Sequence, residues 1–111
     1  MIYVDQYPGK GWGKWQGGGH LLTTDIMELH AFARDLSLKR EWFQRKTCPH
    51  YDLVASKRQL AISHGAIEIA FGQFPDDMLW CIYKNGEIVS DAYETTNERL
   101  MRLGGRLDPP T

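Results

Sequence analysis

Apolar and polar positions follow two periods along the chain. Ile2-Tyr3-Val4 is a short apolar run, and residues 1–5 read as a buried strand. His20-Leu21-Leu22-Thr23 predicts a second strand. Between them, six of the twelve residues 8–19 are glycine, so no regular element forms there cheaply. That segment predicts a mobile loop carrying Trp12, Trp15, Lys10 and Lys14. From Ile26 the period becomes helical, with Ile26, Leu29, Ala33 and Leu36 on one face. Asp25 and Glu28 form a capping box at its start, and the helix is expected to end near Leu38. Residues 39–55 are polar and aromatic without a period, and predict irregular chain. Ser56 and Gln59 make a second capping box, predicting a helix from Lys57 to Gly65, then a strand over 66–70. Pro75-Asp76-Asp77 is a turn. Residues 79–84 and 87–90 flank Asn85-Gly86, a strong hairpin signal. Thr95 and Glu98 cap a last helix that Gly104-Gly105 stops, and Asp108-Pro109-Pro110-Thr111 is expected to fray.

Helix, glycine, strand is an αβ unit, so these elements predict a small α/β domain. Its architecture is a mixed sheet of about five strands, three helices and a C-terminal β-hairpin. At 111 residues, a single domain spanning 1–111 is expected, since domains cluster at roughly 100–150 residues. Hydrophobic content of 42% and charged content of 24% are those of ordinary globular proteins, which argues against disorder. A net charge of −1 gives no global attraction to nucleic acid, although a local basic patch remains compatible with it. No apolar run is long enough to span a membrane. Residues 1–5 lack a basic, apolar leader pattern, so a cytoplasmic protein is expected, with Cys48 and Cys81 as free thiols.

Chemistry concentrates around His50. His50-Tyr51-Asp52 follows Pro49 and precedes Ser56-Lys57-Arg58. An imidazole moves protons near neutral pH, and a neighbouring carboxylate orients it or binds a cation. Four residues beyond Asp52, the predicted helix start offers free N–H groups beside Lys57 and Arg58, a setting for phosphate. The plainer alternative is a loop anchored by Tyr51 and Asp52, beside a solvated basic turn. Asp5 ends a strand, where open α/β sheets bind ligands, or it caps a turn there. His20 begins a strand and His30 borders the apolar stripe of the first helix; both are ordinary places for a half-buried histidine. His64 precedes a helix-ending glycine and is expected to meet the last carbonyls. Lys39 to Lys46 mixes four cations with Trp42 and Phe43, as a base-stacking surface does and as a helix end with an aromatic anchor does.

Tyr3-Val4-Asp5, the His20 strand, Glu28-Leu29-His30-Ala31-Phe32-Ala33, Arg40-Glu41-Trp42-Phe43, His50-Tyr51-Asp52, Ser56-Lys57-Arg58 and Gly65-Ala66-Ile67-Glu68-Ile69 occur in one order along the chain. In that order they resemble the DUF4031 family, small uncharacterised proteins of bacteria and their phages. The resemblance covers roughly residues 1–70, and residues 71–111 read as a hairpin-plus-helix extension. It brings no known activity. It implies that the family's recurring polar residues map to Asp5, His20, His30, His50, Asp52, Lys57 and Arg58.

Two functions follow as expectations. The first is binding, extended to hydrolysis, of a phosphorylated ligand: a nucleotide or a nucleic-acid phosphodiester. His30 and His50 are its candidate acid and base, with Asp5, His20, Tyr51, Asp52, Lys57 and Arg58 as ligand-binding residues. A metal-bearing version using His20, His50, Asp5 and Asp52 ranks below the metal-free one, and no cofactor is named. Gly9, Gly11 and Gly13 precede a strand rather than a helix, which excludes a dinucleotide fingerprint. The second function is a non-catalytic, phage-type module that sequesters a nucleotide or blocks a host protein through Trp12 and Trp15. A homodimer formed along the hairpin edge is a further expectation.

Overall fold

The computed structural model describes residues 1–105, so the expected fraying of 108–111 lies outside the described residues. β1 (Ile2–Val4), β2 (Gly19–Thr23), β3 (Gln44–Arg45), β4 (Pro49–Leu53) and β5 (Ile67–Glu68) form one sheet in the order β3-β4-β2-β1-β5. β1 and β5 are parallel and the other neighbours antiparallel. Three helices are present, α1 (Ile26–Asp35), α2 (Ala55–Ser63) and α3 (Thr96–Leu103). β6 (Leu79–Lys84) and β7 (Glu87–Thr95) pair with each other as a separate hairpin. The mixed sheet, the three helices and the C-terminal hairpin are those the sequence predicts. Among the described residues no helix is long and apolar enough to cross a membrane.

Strand alternation assigns the two faces of the sheet. Ile2, Val4, Leu21, Tyr51 and Leu53 pack with Leu29 and Ala33 of α1 and Ala61 of α2. Each such large side chain removed from water contributes about 1.5–3 kcal/mol. Tyr3 and Leu22 face the other way, against Met78, Trp80 and Cys48. Cys48 and Cys81 are buried free thiols. Asp5, His20, His50 and Asp52 fall by the same alternation on this second face.

Several local signals form in whole or in part. Asp25 accepts the Glu28 backbone N–H at 2.9 Å, but the other half of the expected box does not form: the Asp25 backbone N–H donates to Thr23 Oγ1 and the Glu28 carboxylate pairs with the N-terminal amine. Asn85 and Gly86 both have positive φ, 53° and 80°, as a two-residue hairpin turn of the primed type requires. Thr95 and Glu98 make both bonds of the capping box at α3. Thr95→Ala is therefore expected to cost about 1 kcal/mol. A lower urea midpoint at unchanged slope would show it; an unchanged midpoint would contradict it.

Other local expectations are corrected. Residues 39–55 are not irregular. They hold a 3-10 turn, Arg40–Trp42, followed by β3 and β4. His50-Tyr51-Asp52 is thus central strand, not loop. Because β4 runs to Leu53, Val54 already occupies the cap position and α2 begins at Ala55. Ser56 lies inside the first turn, where its backbone is helical, so the predicted Ser56/Gln59 box does not form. α1 stops at Asp35, short of Leu38, because Ser37 adopts a left-handed φ of 61°. β5 is shorter than predicted and β7 longer. The glycine-rich segment carries its own structure. A 3-10 turn spans Gly13–Trp15, Trp12 Nε1 donates to the Pro8 carbonyl at 2.7 Å, and Trp12 stacks on Tyr7 at 4.4 Å.

Candidate metal centre

Register brings the polar residues of the second face together. β2 and β4 are paired so that His20 stands opposite Asp52. β1 and β2 approach closely because residue 19 has no side chain. A Cβ there would stand 2.2 Å from the Asp5 carbonyl oxygen. Asp5 follows β1 and turns its carboxylate on His20. Oδ1 accepts the His20 backbone N–H at 2.6 Å, and the two carboxylate oxygens lie 3.0 and 3.2 Å from Nδ1. His50 is anchored in the same sense by a backbone group, with Nδ1 2.7 Å from the Cys48 carbonyl oxygen. A carbonyl and an ionised carboxylate only accept, so the proton of each neutral ring belongs on Nδ1. Nε2 of each ring is then the atom left to offer a lone pair to an ion, or a proton to Asp52 when the ring is protonated.

Both Nε2 atoms turn toward Asp52, lying 3.9 Å (His20) and 3.4 Å (His50) from its Oδ1. The His50 approach is not aligned as a hydrogen bond, and this buried Nε2 makes none to any described residue. Asp52 Oδ1 also accepts the Tyr7 hydroxyl at 3.0 Å, while Oδ2 accepts the Gln44 side-chain amide. Burial by itself would raise the Asp52 carboxyl. The His50 imidazole, with the Gln44 and Tyr7 donors, outweighs burial and holds it down at about 2. Asp52 is therefore a fixed negative charge at neutral pH. Burial, with the Asp52 charge adding to it, pushes the Tyr7 phenol up, so its hydroxyl stays a donor.

The donor atoms of His20, His50 and Asp52 all lie within 4.8 Å of one another. One ion with bonds of about 2.0–2.2 Å reaches all three after a small inward movement. Two imidazole nitrogens and one carboxylate oxygen suit Zn²⁺ or a similar divalent transition ion, with a position left for water or a ligand. Asp5 and the Cys48 carbonyl take the outer-shell role of fixing ring orientation and tautomer. His20 and Asp52 lie on the wall of a cleft of about 400 Å³, which Tyr7, Trp12, Trp15, Phe71 and Lys46 complete.

The remaining sequence-derived candidates lie elsewhere. His30 and Tyr51 belong to the opposite face, where His30 Nδ1 lies 2.9 Å from the Tyr51 hydroxyl and the ring packs on Phe43. Burial, with the Arg40 charge adding to it, lowers the His30 pKa. His30 and His50 are separated by the sheet, so the expected acid/base pair does not assemble. Lys57 Nζ donates to the Leu36 carbonyl at 2.6 Å, closing the end of α1. Arg58 is buried, with Nε on the Asp5 carbonyl at 2.8 Å and its guanidinium on Glu68 at 3.1 Å. The expected anion cradle at the start of α2 is taken apart by these bonds. His64 does meet its helix end, at 2.9 Å from the Leu60 carbonyl.

Tyr7, Gln44 and the Cys48 carbonyl are site members that sequence reasoning passed over. One signal was legible: His50 and Asp52 stand two residues apart, the spacing of one strand face. Comparison with curated proteins and with solved structures gives no match. The family model described as Protein of unknown function (DUF4031) matches residues 2–79, past the residue-70 limit of the resemblance, and the chain belongs to that family.

Proposed function

We propose that the protein binds one divalent transition-metal ion through His20, His50 and Asp52 and uses it to hydrolyse a phosphorylated ligand held in the adjoining cleft. One observation carries the reading: two imidazoles, each anchored at Nδ1, aim Nε2 at a single ionised carboxylate. Such a metal supplies Lewis acidity and an activated water at neutral pH. The chain supplies the rest. Tyr7 and Gln44 hold Asp52 in place, Lys46 brings positive charge to the cleft, and Trp12, Trp15 and Phe71 offer apolar walls. The reading places the protein in a reducing, cytoplasmic setting, where its two buried thiols stay reduced.

Calorimetric titration of the chelator-treated protein with Zn²⁺ and Mn²⁺ tests the centre, with one equivalent bound as the expected result. No heat of binding for either ion would overturn it. Phosphate release from a panel of nucleotides and phosphodiesters, with and without metal, tests the chemistry. Metal uptake without any metal-dependent release would remove hydrolysis and leave the non-catalytic, phage-type binding module as the function.

A further inference from the structure

Resting on that metal reading, we infer that the ligand is a single-stranded nucleic acid whose chain crosses the metal centre, rather than a mononucleotide. The cleft beside His20 is not alone at the site. A second cleft, of about 450 Å³, is lined by Lys14, Trp15, Leu38, Trp42, Val54 and Lys57, and it shares Trp15 and Asp52 with the first. Both fall in the roughly 300–1,000 Å³ range of small-molecule sites. Asp52, a metal donor, thus stands where two ligand-sized clefts meet. A mononucleotide fills one of them; a strand has a nucleotide for each, and its phosphodiester lies between them at the metal.

The linings match that occupant. Each cleft carries indole surface for an unpaired base, and stacking on aromatic side chains tolerates any base sequence. Trp12 and Trp42 are 38% and 48% exposed, Trp12 with one face stacked on Tyr7 and Trp42 with Lys39 over its ring, so each offers its remaining indole surface without refolding. Lys14 lies 5.3 Å over the Trp15 ring and Lys39 lies 5.6 Å over Trp42, which puts a cation beside each stacking surface. Lys14 and Lys46 line the two clefts against one carboxylate, Asp52, while Lys57 adds its charge from the second cleft's wall with Nζ held on the Leu36 carbonyl, in a chain whose overall net charge is −1. Positive charge is therefore gathered along this path, where a phosphate backbone would run. Within residues 39–46, Trp42 lines the second cleft with Lys39 over its ring and Lys46 lines the first, which gives these three a role.

Fluorescence anisotropy with a labelled phosphorothioate hexathymidylate, at stoichiometric Zn²⁺, tests the inference. Thymidine 5′-monophosphate and a duplex of the same length serve as competitors. The hexamer is expected to bind at least tenfold more tightly than either competitor. Trp42→Ala, at an exposed position, is expected to weaken hexamer binding about tenfold through loss of a stacked base. It should leave metal uptake unchanged. Lys46→Ala should shallow the salt dependence by about one phosphate contact. Equal affinity for the monophosphate and the hexamer, equal affinity for the duplex, or no effect of Trp42→Ala would each overturn the inference. Metal uptake without hexamer preference sinks the strand inference alone; hexamer preference without metal uptake sinks the metal reading alone.

Discussion

His50→Ala is expected to abolish the stabilisation that a divalent ion confers on this protein. A ligand that binds only the native state at a hundred times its dissociation constant adds about 2.7 kcal/mol. For a domain of this size that raises the melting temperature by about 10 °C. Removing the His50 imidazole leaves two donors where three converge, and the Asp52 carboxylate loses the nearer of its two imidazole neighbours. Because the ring is fully buried, the variant also leaves a cavity, and its metal-free melting temperature will fall. The quantity that decides is the difference with and without Zn²⁺ within each protein. Asp52→Asn preserves shape and serves as the second variant; it should show the same loss without a cavity. Asp5→Asn leaves all three donors in place but removes the charge that orients His20. It should weaken metal binding by about 10- to 100-fold, not eliminate it. Scanning calorimetry of the four proteins checks this order. A Zn²⁺-induced shift of wild-type size in both His50→Ala and Asp52→Asn would rule out the centre.

The second large effect is expected at a residue with no chemistry of its own. Gly19→Ala places a methyl group 2.2 Å from the Asp5 carbonyl oxygen, 2.8 Å from its carbonyl carbon and 2.9 Å from its Oδ1. Two of these atoms are backbone, so no flexible side chain can swing aside. β1 and β2 must separate at the point where Asp5 meets both the His20 backbone and its ring. We expect a loss of about 3 kcal/mol or more, at the upper end for overpacked sites, together with loss of metal binding. Gly9→Ala is the control. Its φ of 68° makes alanine costly by about 1 kcal/mol, but no atom lies within 4 Å of the added carbon. Urea unfolding compares the two. Equal midpoints for Gly19→Ala and Gly9→Ala would show that the close approach of β1 and β2 does not govern stability.

These two sites differ in how much of their role the sequence shows. Asp5, His20, His50 and Asp52 were identifiable as candidate polar residues. Gly19 read only as one more glycine in a loop, because its role lies in a contact with a strand far away in sequence. Lys57 and Arg58 read as an anion cradle because a basic first turn is what such a cradle looks like locally. Their side chains instead run to Leu36, Asp5 and Glu68, none of which a local window contains.

What the sequence by itself determined is the set of features written within a few residues. The Asp25 cap, the Asn85-Gly86 turn, the Thr95-Glu98 box and the helical stripe of α1 all depend on neighbours no more than four positions apart, and the α/β class on the order of such elements. What only the tertiary structure decided is the face each polar residue occupies and the register that sets His20 against Asp52. A strand with polar side chains on its buried face breaks the apolar alternation by which strands are recognised, so β4 read as a loop. The proposed metal centre draws His20 and Asp52 from paired strands, His50 from the same strand as Asp52, and Asp5 from the end of β1. Its geometry follows from strand pairing and from the missing side chain at Gly19, which sits beside His20 in the chain but acts on Asp5, fourteen residues away.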